Sequence, residues 1–196
     1  MFNSGIKTAD LITELENEVD VSLPIPIISY INWLNAVEQI VYSEIVQEQK
    51  EFIADIDESN KVVLDSINVS ENEAIIRFED IHAVYSDKVQ LIYTNLASGS
   101  IFGDCYYKDN NNLAVKTDGE SVRVIYIVRP RIKTEENPGN IMLPIEFIEL
   151  AKSRLRAEAY KLMNENVLAA NWINDYNVLL ETFKTWLNSK KAVFGL

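Results

Sequence analysis

The sequence predicts an α+β chain: a helical bundle built from N- and C-terminal helices, with an inserted antiparallel β domain. Three observations point to it. Apolar residues recur at helical spacing near both ends of the chain, the period falls to two across the middle, and prolines stand where the period changes. "IVRPRIKTEENPGNIMLPIEF", from Ile127 to Phe147, contains the second change: an alternating run stops at Pro130, a polar stretch follows, and Pro144 opens a helical pattern. The expected division is 1–47 plus 144–196 for the bundle and 48–143 for the β domain.

Thr8 is the expected N-cap of a short first helix from Ala9 to about Asn17, with Asp10 in its first turn and Leu11, Ile12 and Leu15 as its apolar face. Pro26 suits a first helical position, and Ile27, Tyr30, Leu34, Val37 and Val41 form the stripe of a second helix reaching about Gln47. Its length would be about 30 Å. From Glu48 onward, short runs rich in Val, Ile, Tyr and Phe are separated by "DESN", "SEN", "YSD", "LASGS", "DNNN" and "TDGE", which predicts five to seven antiparallel strands. In the last run, Val122, Val124, Tyr126 and Val128 make a wholly apolar face, and Pro130 ends the strand or marks an edge. Behind Pro144, Ile148, Ala151, Leu155, Ala159 and Leu162 make one helical stripe. After the break "NEN", Ala169, Tyr176, Leu180, Phe183 and Leu187 make another, ending near Lys190 and Lys191. So short a connection predicts an antiparallel helical hairpin. Neither helix pair alone has partners enough for these stripes, so the two pairs are expected to pack together and extrude the β segment.

At 196 residues and 47% hydrophobic, the chain has material for a real core. Its single cysteine, Cys105, excludes an intrachain disulfide and is expected to be a small strand hydrophobe. The stretch "MFNSGIKTADLITELENEV" turns acidic before an apolar region develops, so no signal peptide is expected. No apolar run approaches the roughly 20 residues of a membrane span, which predicts a soluble protein. Net charge is −12, against adhesion to nucleic-acid phosphates. The acid is concentrated early: residues 1 to 60 hold 12 acidic and 2 basic side chains.

Chemical signatures are sparse. His82 is the single histidine, expected to be half-buried on a strand with no positioned partner. Asp55, Asp57 and Ser59 have the opening spacing of a calcium loop, but Asn60 and Ser66 stand where its glycine and glutamate belong, which leaves a polar turn. A carbohydrate-binding or glycoside-hydrolysing β module would use paired acids beside aromatic platforms, for which Asp80, Asp104, Tyr106 and Tyr107 are available. Nothing in their spacing selects them. No P-loop, nucleophile elbow or dinucleotide fingerprint occurs, so no catalytic residue, metal or cofactor is expected.

The ordered set "TADLITELENEV", "ISYINWLNAVEQIVYSEI", "VRVIYIVRPRI", "LPIEFIELAKSRLRAEAYKLM" and "NVLAANWINDYNVLLETFKTWL" resembles the head-to-tail adaptor (connector) proteins of tailed bacteriophages. Trp33, Leu34, Asn35, Tyr126, Arg129, Pro130 and Pro144 carry the likeness across nearly the whole chain. The resemblance implies a non-enzymatic structural virion protein of the neck, assembled in the host cytoplasm. It would form a homo-oligomeric ring, generally a dodecamer, docked on the portal protein and offering a platform to nozzle or tail-tube proteins. DNA would pass through the ring without specific binding. A tail-completion or tail-terminator ring is the neighbouring reading. Within such a ring, Glu38, Glu44, Glu48 and Glu51 are expected to contribute an acidic channel surface that repels phosphate. Val193, Phe194 and Leu196 are expected to form an apolar tail that docks on the portal or a neighbouring subunit, or folds back on its own bundle.

Overall fold

The computed structural model describes residues 1–19, 24–95 and 103–194, with side chains described as far as residue 190. The fold class is α+β. The chain divides into two units, Met1–Val46 with Ile132–Leu196, and Gln47–Arg131. The polar return segment 132–143, grouped with the β portion on sequence grounds, thus belongs to the helical unit.

Helix α1 spans Thr8–Glu18 and buries Leu11, Ile12 and Leu15. Thr8 does not cap it. Lys7 occupies the cap position, and Thr8 is the first helical residue, its hydroxyl donating to the Pro138 carbonyl at 2.9 Å. Its N–H donates to the Gly139 carbonyl at 3.0 Å, and Ile141 N–H to the Ile6 carbonyl at 2.9 Å. The helix start is therefore satisfied by the return segment rather than by its own side chain. Helix α2 covers Ile27–Ile40 with Pro26 as its cap, one position outside the expected one. Its α geometry stops earlier than the stripe predicts, because Val41–Val46 continues as a π-helix that Gln47 ends at φ 48°.

Pro144 caps a short 3₁₀ turn, Ile145–Phe147, which leads into α3, Ile148–Leu162. Asn164, at φ 61°, turns the chain into α4, Asn166–Phe194. One core joins both chain ends: Leu11, Leu15, Tyr30, Leu34, Val37 and Val41 pack with Leu143, Leu150, Leu155, Tyr176, Phe183 and Leu187. Phe183 anchors it, with the Phe147 ring 4.9 Å and the Phe2 ring 6.2 Å from its own. Around this core, Arg156 of α3 is ion-paired with Glu18 of α1 and Glu149, and its guanidinium lies 4.6 Å from the Trp172 ring of α4.

The β unit has two four-stranded sheets. Strands β1 (Gln49–Asp55), β8 (Ser121–Ile127), β3 (Ile81–Ser86) and β4 (Val89–Gln90) form the first, in that order and antiparallel. The second runs β2 (Lys61–Val62), β7 (Asn112–Lys116), β6 (Cys105–Asp109), β5 (Ile92–Tyr93). Here the structure differs from expectation: there are eight strands among the described residues, and β5 runs parallel to β6. The chain passes from β4 through buried Leu91 straight into β5, changing sheets without a turn. The strand thus keeps its direction as its neighbours change.

The alternation of β8 is as expected, with Val122, Val124 and Tyr126 buried between less buried neighbours. Turn chemistry follows the sequence closely. Asp87 and Lys88 both take positive φ in the two-residue hairpin between β3 and β4. The Asp57 carboxylate accepts the N–H groups of Ser59 and Lys61, each at 2.8 Å, while Asn60 sits at φ 60°.

Candidate functional site

The four glutamates expected on one acidic surface do not share an environment. Glu38 is a correction: it is 1% exposed and faces the return segment. Helical spacing places it one turn beyond Asn35 on the same face of α2. The Asn35 amide donates to the Lys133 carbonyl at 3.0 Å and accepts from Lys133 N–H at 2.9 Å. One Glu38 oxygen accepts from Met142 N–H at 2.7 Å, and the other is ion-paired with the buried Lys133 ammonium. Burial pushes the Glu38 carboxyl above the usual range, against the opposing pull of Lys133 and the Met142 N–H. This carboxylate organises the interior.

Glu44 is exposed within the π-helix and lines a shallow cleft with Ile45, Lys184 and Asn188. Glu48 and Glu51 belong to the β unit. Glu48 is half-buried, and its carbonyl accepts from Val128 N–H at 2.8 Å. Glu51 is exposed on β1, with Arg123 of β8 3.2 Å away.

The backbone of α4 reaches Phe194, but the side chains of Val193 and Phe194, and Leu196 altogether, lie outside the described residues.

The acid and aromatic set of the carbohydrate reading is dispersed in role. Asp80 is 3% exposed, accepts from Arg77 N–H at 2.9 Å, and is ion-paired with Arg129, which fixes the turn leading into β3. Asp104 is exposed beside β6. Tyr106 is buried against Tyr93 and Phe78, at ring separations of 5.6 and 6.2 Å, and the adjacent Tyr107 is half-buried. His82, expected to be half-buried, is exposed, because a bulge between Ile81 and Ala83 breaks the alternation of β3 there. Cys105 is buried in β6. Among the described residues no group of three or more His, Cys, Asp or Glu could hold a metal ion, and no helix is long and apolar enough to cross a membrane.

The outer face of α4 is a feature that the sequence reading missed. Val167, Leu168 and Val178 are exposed along it, Val178 to 66%. Val178, Asn177, Glu181, Thr182, Thr185 and Trp186 line a shallow groove of about 730 Å³. Asn171, Asn174, Thr182, Thr185 and Ser189 continue an exposed or half-exposed face that is nearly free of charge. The signal was present as a scarcity of charge at outward positions, where a solvated helix normally carries it: from Asn166 to Ser189 the exposed charged residues are Asp175 and Glu181.

No protein-family model matches the chain, and no curated protein does.

Proposed function

We propose that the chain is a ring-forming adaptor of a phage neck, docking on the portal protein, extending the DNA channel and presenting a platform to tail proteins. One observation carries the reading. A single helical core is assembled from both chain ends, and residues 47 to 131 are carried out of it as a β insertion, the order of elements on which the resemblance to head-to-tail adaptors rests.

The outer face of α4 supports it. Its apolar and uncharged residues suit packing against the next copy in a ring, where exposed Val167 and Val178 would be covered. The net charge of −12 suits a passage from which DNA must slide freely.

Native mass measurement of the full chain, alone and with a portal protein, tests the reading. The expected result is a closed ring, dodecameric on the portal, that Val178→Glu returns to folded monomers. A protein that stays monomeric and leaves the portal unbound would sink it. A ring that binds tail-tube protein and ignores the portal would replace it with a tail-completion role.

A further inference from the structure

Among the described residues, β1 is the outermost strand of its sheet, with β8 as its one neighbour, and it is seven residues long. The other outermost strands, β2, β4 and β5, have two residues each. In an antiparallel ladder, positions alternate between those that exchange main-chain bonds with the strand opposite and those that face away. The Glu48 carbonyl accepts from Val128 N–H at 2.8 Å, and Ile56 N–H donates to the Glu120 carbonyl at 2.9 Å, both in the register that pairs Gln49 with Ile127 and Asp55 with Ser121. The bonded positions are therefore the even-numbered ones. The N–H and C=O groups of Gln49, Glu51, Ile53 and Asp55 point along the free edge, and no described residue bonds them.

Folded proteins usually blunt such an edge with proline, a bulge, brevity or charged side chains. Of these devices β1 has only the charges of Lys50, Glu51 and Asp55, which disfavour a like strand rather than an oppositely charged one. β1 has no proline, and its register with β8 is unbroken. Ile53 is 73% exposed on it. The charge along the edge is acidic on balance: Glu51, Asp55, Asp57 and Glu58 are exposed, against Lys50, which is engaged by Glu73, and Arg123 of β8, which pairs with Glu51.

We infer that the free edge of β1 is a docking site for an extended basic segment of another protein, which adds to the sheet as a fifth strand. The outward main-chain groups supply the ladder. Lysine or arginine at every second position falls on the face of Glu51, Ile53 and Asp55, where its charge meets the acids and its stem covers Ile53. The apolar residues between them fall on the opposite face, with Phe52 and Ala54. A second copy of β1 fits poorly. In every antiparallel register centred on residues 50 to 54, Glu51 falls opposite or diagonal to Glu51, Asp55 or Asp57 of the other copy. The inference is independent of the adaptor reading and would stand if that reading failed.

The test is amide exchange, followed by NMR on the full chain, with a nine-residue peptide alternating lysine and valine as probe. At saturation, the amides of Gln49, Glu51, Ile53 and Asp55 should exchange about ten-fold more slowly or better, with Lys50, Phe52 and Ala54 little changed. The same peptide with alternate amides N-methylated should have no effect. Ile53→Pro should abolish the response and leave the melting curve nearly unchanged, since that N–H makes no internal bond. Asp55→Lys should weaken binding several-fold with the edge intact. Four amides already protected in the free monomer, or unmoved by saturating peptide, would overturn the inference, as would equal protection by the N-methylated peptide. Protection that grows with protein concentration, without peptide and together with a dimer in sedimentation, would assign the edge to a second copy instead.

Discussion

Asn35 and Glu38 act as a pair, because together they hold three main-chain groups and one ammonium of a segment about a hundred residues away. Neither partner of the Glu38–Lys133 pair can be removed alone without leaving a charge in the interior. Lys133→Met should cost about 3–5 kcal/mol, read by chemical denaturation at neutral pH. Adding Glu38→Gln should restore most of it, since glutamine still accepts from Met142 N–H and no charge is left buried. The sign with pH follows from the raised Glu38 pKa. A carboxyl whose folded pKa lies above its unfolded value contributes stability at low pH that is lost as pH rises through the folded value. Lys133→Met should therefore regain stability on acidification, and a deficit that does not shrink with falling pH would contradict this role. Sequence shows Glu38 at the edge of an apolar stripe, with nothing to tell it from the solvated glutamates nearby. Lys133 lies in a stretch that reads as polar loop.

Among the elements, an ion pair ties β1 to a residue outside the strands of the β unit. Glu73, buried beside β1, is ion-paired with Lys50 and accepts from Ser70 Oγ at 2.6 Å. Burial alone would raise its carboxyl, but Lys50 and Ser70 hold it below the ordinary range. A lowered carboxyl contributes stability above its unfolded pKa, about 4.3, and loses it as pH falls through the folded value. Glu73→Gln should thus melt below the native protein at neutral pH, and the gap should close on acidification below about pH 4. A gap independent of pH would show that the carboxylate charge is not what matters. Strand positions and turns were readable here, since "DESN", "YSD" and "DNNN" mark local backbone preferences that Asn60, Asp87 and Asn110 satisfy at positive φ. The parallel β5–β6 pair was not, because pairing direction depends on which distant strand fills the edge.

At the scale of the chain, α3 and α4 fold back on each other but share their core with α1 and α2. Residues 132–196 expressed alone should be partly helical and melt without a cooperative transition. Mixing with residues 1–46 should restore cooperativity, because Leu11, Leu15, Leu34 and Val37 complete the cluster around Leu150, Leu155 and Phe183. Circular dichroism on titrating one fragment into the other decides it. A sharp melt of the C-terminal fragment alone would mean that the hairpin needs no N-terminal partner.

Class, order of elements and most turns follow from the sequence by itself, since periodicity, proline and turn residues act over a few positions and need no knowledge of distant neighbours. The tertiary structure alone decided which polar groups are interior, which edge of a sheet stays open, and where the return segment belongs. Glu38 is buried because Lys133 and Met142 come to it, about a hundred residues along the chain. β1 keeps one open edge because β8 pairs along its other side and the remaining six described strands pair elsewhere, and no local pattern encodes that.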